Sequence, residues 1–137
     1  MQCLPEPPGF PPEKILSRSY AVVASMNRDV VTSLVDWDLQ LAKSVMARYD
    51  ESNRLYFLLL RILPTTIQNP GLIETLGISP IDRLDYRVTA NLVEAIGDAS
   101  GQFASETLEP KGVKLSEEVR QLLVGLQSFV LRLMNLR

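Results

Sequence analysis

A chain of 137 residues, 46% hydrophobic and 22% charged, is long enough for one hydrophobic core and too short for two ordinary domains. Its net charge of −2 offers no basic surface to a phosphate backbone, so we expect no nucleic-acid binding through this segment. The absence of histidine excludes Ser/His/Asp and Cys/His nucleophile systems, HExxH zinc sites and ferritin-like di-iron sites, and the sequence therefore favours a protein that is not an enzyme.

Residues 1–12 read MQCLPEPPGFPP and hold five of the nine prolines, which is typical of a linker or leader. The segment lacks the basic and then apolar regions of a signal peptide. The longest apolar run in the chain, Leu55 to Leu60, is far shorter than the roughly 20 residues that cross a bilayer. The single cysteine, Cys3, cannot form an internal disulfide. We therefore expect a cytoplasmic chain without membrane insertion.

Two helices are predicted in the first half of the chain. Apolar residues recur at helical spacing from Pro12 to Val35. The acids of Asp36-Trp37-Asp38 are suited to capping a second helix that runs from Leu39 to about Leu63, where Pro64 ends or kinks it. Within this helix, residues 48–54 (RYDESNR) are polar, and we expect them to face solvent.

Two further helices are predicted in the second half. Ser79-Pro80-Ile81-Asp82 combines a serine cap, a proline in the first turn and an acid three residues after the cap, so a third helix begins here and runs to about Leu108. Ser116 caps a fourth helix that continues to the C-terminus. Its apolar row consists of Val119, Leu122, Leu126, Phe129, Val130 and Leu133.

No segment shows the period-two alternation of a β-strand, so the predicted fold class is all-α. Long helices joined by short connections favour an antiparallel bundle in which each apolar face is buried against its neighbours. Residues 13–137 form the predicted domain, with 13–109 supplying three helices and 115–137 the fourth.

The candidate site lies on the third helix, where Glu94 and Asp98 are four residues apart and share one face. Carboxylate oxygens at this spacing can bind a divalent or iron cation beside the helix, whereas the alternative is an ordinary solvated face. Gly97 and Gly101 are costly in a helix interior. They indicate close helix packing or, alternatively, the approach of an ion or partner backbone.

Four stretches of the chain together resemble the PhoU-like domain family, particularly archaeal phosphate uptake regulators. These are GFPPEKILSR leading into ASMNRDVVTSL, DLQLAKSVMARYDESNRLYFLLLR, GISPIDRLDYR, and NLVEAIGDASGQFA, and the resemblance covers about residues 9–108. Glu94 and Asp98 match the family's E-x-x-x-D signature, whose acids bind metal clusters in some members. The family's second acidic pair falls near Tyr56 and Leu60, so that copy of the signature is lost.

The resemblance implies a three-helix repeat followed by one further helix, as half of a six-helix domain, in a chain often fused to an AbrB-like DNA-binding domain. It also implies a non-enzymatic regulator of phosphate uptake that acts through protein partners such as a phosphate transporter or sensor. One alternative is a scaffold module that forms a homodimer through Leu122, Leu126 and Phe129 on the fourth helix. A metal-dependent enzyme in a helical bundle is a weaker alternative, because histidine is absent.

Overall fold

The computed structural model describes residues 11–68, 71, 79–109 and 114–135. The described helices are α1 (Pro12–Asp36), α2 (Leu39–Gln68), α3 (Pro80–Leu108) and α4 (Glu117–Asn135). No strand occurs within these described ranges, and the helices pack against one another, so the predicted all-α bundle is confirmed. The expected leader falls largely outside them, in residues 1–10.

The helix bounds agree closely with the predicted ones except at the end of α2. Pro64 was expected to end or kink this helix, but α2 continues through it to Gln68. Proline removes one backbone donor from a helix interior. In α2 that loss falls in the last turn and a half, where the helix has few hydrogen bonds left to make.

Local hydrogen bonds explain where the helices begin and end. Trp37 adopts a left-handed backbone conformation (φ 55°) and donates its N–H to the carbonyl of Ser33, which ends α1. One residue later, Asp38 Oδ1 accepts the N–H groups of Gln40 and Leu41, each at 3.0 Å, and so caps α2 as the sequence predicts. Only two residues separate the helices, and this short turn sets α1 and α2 antiparallel.

The predicted start of α3 is also confirmed, by reciprocal hydrogen bonds between Ser79 and Asp82. The Asp82 N–H donates to Ser79 Oγ at 3.1 Å, and the Ser79 N–H donates to Asp82 Oδ2 at 2.8 Å. The Ser79 hydrogen bonds hold the pKa of the Asp82 carboxyl below its ordinary value. At the start of α4, Ser116 Oγ accepts the N–H of Val119 at 3.3 Å.

Helix α1 is the central element, because it packs against each of the other three helices while α2 and α3 also pack together. Two ion pairs link α1 to α2 in antiparallel register, Arg18 with Glu51 at 2.5 Å and Arg48 with Asp29 at 2.7 Å. The polar segment 48–54 therefore does not simply face solvent. Ser52 within it is fully buried, because this turn of α2 lies between α1 and α3.

The buried core has two parts along the bundle. One cluster lies among α1, α2 and α3 near the start of α1 and consists of Ile15, Leu59, Leu63 and Ala90. The other includes the last turn of α4 and consists of Val23, Met26, Val30, Val45, Val93, Ala104 and Met134. Gln127 of α4 donates its side-chain amide to the backbone carbonyls of Asn27 and Arg28, so α4 runs antiparallel along α1.

The face that α3 buries is not its most apolar face. Its buried residues are small or short, namely Ala90, Val93, Gly97, Ser100, Gly101, Ala104 and Thr107. Most of its large apolar residues are exposed instead, namely Ile81, Leu84, Val88, Leu92 and Phe103, whereas Ile96 is partly buried against the core. The expectation that every apolar face is buried is thus wrong for α3. Small side chains allow its backbone to approach α1 and α2 closely, and the larger ones are displaced to the outer face.

Candidate functional site

Glu94 and Asp98 lie on the side of α3 that faces α2. Asp98 Oδ1 accepts a hydrogen bond from the Tyr49 hydroxyl at 3.0 Å. About two turns earlier on α3, Asn91 Oδ1 accepts a hydrogen bond from the Tyr56 hydroxyl at 2.9 Å. We name this row of polar side chains between the two helices the α2–α3 polar seam, which comprises Tyr49, Ser52, Tyr56, Asn91, Glu94 and Asp98.

The two glycines of α3 allow the seam to form. A Cβ at Gly101 would lie 2.8 Å from Cδ2 of Tyr49, so the tyrosine ring rests directly on the glycine. A Cβ at Gly97 would lie 3.2 Å from Val23 and 3.3 Å from Ser52 Oγ. The packing interpretation of both glycines is therefore confirmed. Their bare surface brings the Tyr49 hydroxyl within reach of Asp98.

Glu94 is the electrostatically strained member of the seam. Burial, which disfavours the charged form, raises the pKa of the Glu94 carboxyl, and the neighbouring charge of Asp98 raises it further. Asp98 is exposed and has the Tyr49 hydroxyl as a donor, whereas no donor to Glu94 is seen among the described residues. A proton on the Glu94 carboxylate, or a cation beside it, would offset the free-energy cost of this partly buried negative charge.

The oxygen atoms of the seam are of the kind that could bind a hard cation, with water molecules as its remaining ligands. Two carboxylates are adjacent, and the buried Ser52 Oγ, without a hydrogen-bond partner in the described part of the chain, lies beside Gly97. Within the described residues, no group of three or more His, Cys, Asp or Glu side chains is placed to hold a metal. The Tyr56 hydroxyl is already bonded to Asn91.

Asn91 of α3 was not singled out from the sequence as a site residue, and neither were the three seam residues of α2, namely Tyr49, Ser52 and Tyr56. They are spaced by three and four residues on α2, which places them on one helix face. This spacing could have indicated that the three residues share a face of α2. The polar residues around them did not show which face of the helix is buried.

The residues predicted for a dimer interface lie on the outer face of α4. Leu122, Leu126 and Phe129 are 63%, 52% and 59% exposed. They do not contribute to the packing of α4 against α1, which uses Gln127, Val130 and Met134. The expected burial of the α4 apolar face within the chain is therefore wrong for these three residues.

Comparison of the chain with protein-family models, with curated proteins and with solved structures gave no match. In the described part of the chain, every helix is too short or too polar to cross a membrane.

The strain at Glu94 predicts a pH-dependent stabilisation by Glu94→Gln. Because the folded-state pKa of Glu94 is raised, its ionisation costs stability at neutral pH, and this cost vanishes below the ordinary glutamate pKa. Glu94 is partly solvated, so we expect the melting temperature of Glu94→Gln to exceed that of wild type by only about 1 to 3 °C at pH 7. The advantage should disappear near pH 4.

Thermal melts of chelator-treated protein, followed by circular dichroism between pH 4 and pH 8, measure this difference without a cation at Glu94. Asp50→Asn is the control, since Asp50 is an exposed acid in mid-helix on α2. A destabilised Glu94→Gln at pH 7, or an advantage that grows as the pH falls, would contradict the assignment of strain to Glu94.

Proposed function

We propose that this chain is a non-enzymatic regulatory domain that controls phosphate uptake through protein–protein contacts. The main observation in favour of protein–protein contacts is an exposed apolar row on α3. This α3 row consists of Ile81, Leu84, Val88 and Leu92. Monomeric proteins rarely leave extended apolar rows in water unless a partner covers them. The resemblance to PhoU-like domains supports phosphate uptake as the regulated process.

The position of the α3 row supports a partner other than the rest of this chain. Ala90 on the inner side of this part of α3 packs with Ile15 and Leu59 in the cluster that contains no α4 residue. Within the described residues, α4 packs against α1 and not against α3. The α3 row is therefore left uncovered by the described helices.

The spacing and flanks of the row favour an amphipathic helix of the partner. Its side chains repeat every three or four residues, which matches the anchor spacing of helix–helix contacts. Asp82, Arg83, Asp85 and Arg87 flank it with both signs of charge. By resemblance, the partner is a phosphate transporter or a phosphate sensor.

Phosphate uptake in the source organism tests this function. We expect deletion of the gene to alter the rate of radiolabelled phosphate uptake at high external phosphate, and the wild-type gene to restore it. The double variant Leu84→Ser/Leu92→Ser should fold with a wild-type helical signal and fail to restore regulation. Leu39→Ser, at another exposed leucine, is the control and should restore it.

The outcomes of this experiment test the proposed process, control of phosphate uptake, separately from the proposed docking surface, the α3 row. If deletion leaves uptake unchanged at every external phosphate concentration, control of phosphate uptake is the wrong function. If deletion alters uptake but the double variant restores it, the α3 row is not the docking surface. Direct binding of the purified transporter or sensor, lost only in the double variant, would support both parts.

A cation at Glu94 and Asp98 is the second part of the proposed function. The adjacent carboxylates and the raised pKa of Glu94 support it, because a cation offsets the repulsion that raises this pKa. Elemental analysis of protein purified without chelator is the test. We expect bound Mg²⁺, Ca²⁺, Mn²⁺ or iron in wild type and in Asp50→Ala, and its loss in Glu94→Ala/Asp98→Ala. Metal content near zero in all three proteins would remove the site.

A further inference from the structure

The outer face of α4 carries a heptad pattern. The exposed apolar residues are Val119, Leu122, Leu126, Phe129 and Leu133, spaced by three, four, three and four residues. This spacing corresponds to the a and d positions of a coiled coil. When two copies of such a helix run in opposite directions, a residues of one can pack against d residues of the other, so the row can pair with its own copy.

Two opposite charges lie beside the row on one flank. Glu118 and Arg132 occupy equivalent heptad positions there, each seven residues from Gly125, and both are exposed. Between them on this flank lies Gly125, whose added Cβ would meet nothing within 4 Å. When two such helices lie antiparallel, this flank of one helix faces the same flank of the other. Glu118 of each copy then lies next to Arg132 of the other copy.

The residues on the opposite flank of the row pack against the rest of the chain. Leu123 and Val130 are half-buried, and Val130 packs against the core cluster of α1. Gln127, next to them, is fixed by its hydrogen bonds to the backbone of α1. The helix is therefore held with its heptad row pointing outward, in a fixed orientation that a second copy can meet.

The size of the row suits a dimer of moderate affinity. Five apolar side chains of roughly 150 to 200 Å² each, about half exposed, present on the order of 500 Å² per copy. Two copies bury about 1,000 Å² before the flanking side chains contribute, which is the lower range of specific interfaces. A single copy would leave in water a patch as large as the largest patch on a typical monomer.

We propose that α4 pairs antiparallel with α4 of a second copy of this chain, about a two-fold axis near the middle of the heptad row, with Glu118 bonded to the partner's Arg132 on each side. This interface does not use the α3 row, because within the described residues α4 packs against α1 and not against α3. The dimer and the regulatory contact are thus independent surfaces of the same molecule.

Sedimentation equilibrium from 1 to 500 μM tests the pairing. Wild type forms a dimer with a dissociation constant in the micromolar range. Charge reversal by Glu118→Arg, or by Arg132→Glu, raises the dissociation constant about tenfold, because each change places like charges together twice in the dimer. The double variant Glu118→Arg/Arg132→Glu returns it to within about threefold of wild type. Restoration by the double variant identifies the antiparallel register, which hydrophobic contact alone does not require.

Phe129→Ser and Phe57→Ser form a second, matched comparison. The two phenylalanines are 59% and 60% exposed, but only Phe129 belongs to the heptad row. Phe129→Ser raises the dissociation constant at least 30-fold, and Phe57→Ser leaves it within about twofold. A wild-type monomer at 500 μM overturns the proposal. So does an equal effect of the two phenylalanine variants, or a double charge variant no better than the single ones.

Discussion

Leu59→Ala is expected to lower the free energy of unfolding by about 2 to 5 kcal/mol. Leu59 is 1% exposed and lies in the cluster with Ile15, Leu63 and Ala90, where three helices meet. Truncation removes the transfer free energy of the side chain and leaves a cavity that the surrounding helices fill only partly. Urea denaturation followed by circular dichroism measures the change in the free energy of unfolding.

Leu84→Ala is the matched control, because Leu84 also belongs to an apolar helical row but is 64% exposed. We expect this variant to differ from wild type by less than about 0.5 kcal/mol. Similar losses for the two variants would show that α3 buries its leucine row, and the face assigned to α3 would then be wrong.

The second large effect is expected at Gly101. Replacement by leucine should destabilise the chain by about 3 kcal/mol, since even its first carbon would lie 2.8 Å from the Tyr49 ring. That ring is fixed close to the backbone of α2, so the helices must separate to make room. Separation also breaks the hydrogen bond from the Tyr49 hydroxyl to Asp98. Chemical denaturation gives the stability loss, and tyrosine fluorescence or absorbance reports the change at Tyr49.

The same substitution at another glycine, Gly125→Leu, is expected to have the opposite effect on stability. A Cβ at Gly125 meets nothing within 4 Å, and leucine favours a helix interior over glycine by about 0.5 to 1 kcal/mol. We therefore expect a stabilised monomer when unfolding is measured at low micromolar concentration. If both leucine variants were stabilised, the close packing of α3 against α2 would be incorrect.

The parts of the fold that were predictable from sequence depend on local interactions. Ser79 and Asp82 bond each other across three residues, and Asp38 accepts the backbone amides two and three residues later, so their residue types alone locate the helix starts. The end of α2 was less predictable. The effect of Pro64 depends on how many helical hydrogen bonds lie beyond it, and residue type does not contain that information.

The buried face of α3 was not predictable, because it depends on distances between helices. The exposed row of Leu84, Val88 and Leu92 is more hydrophobic than the buried row, so hydrophobic periodicity indicates the wrong face. Gly97 and Gly101 indicated the buried face of α3, but close helix packing was only one of the two interpretations of these glycines. Contact distances to Val23, Ser52 and Tyr49 were needed to choose between them.

For the candidate site, the sequence predicted the placement of Glu94 and Asp98 on one face of α3 but not what lies opposite them. Tyr49 is 49 residues from Asp98 in the chain, and their hydrogen bond follows from the antiparallel register of α2 and α3. The raised pKa of Glu94 depends on burial, which residue spacing does not reveal.

The two-residue turn at Trp37 and Asp38 also has a kinetic consequence. Contacts between α1 and α2 close short loops near the turn, whereas the bond from Gln127 to Arg28 spans 99 residues. Because the entropy lost on closing a loop increases with its length, we expect the α1–α2 hairpin to form first during folding. Helix α3 then adds to this hairpin and α4 docks last. Pulsed hydrogen exchange should show backbone amides becoming protected in this order.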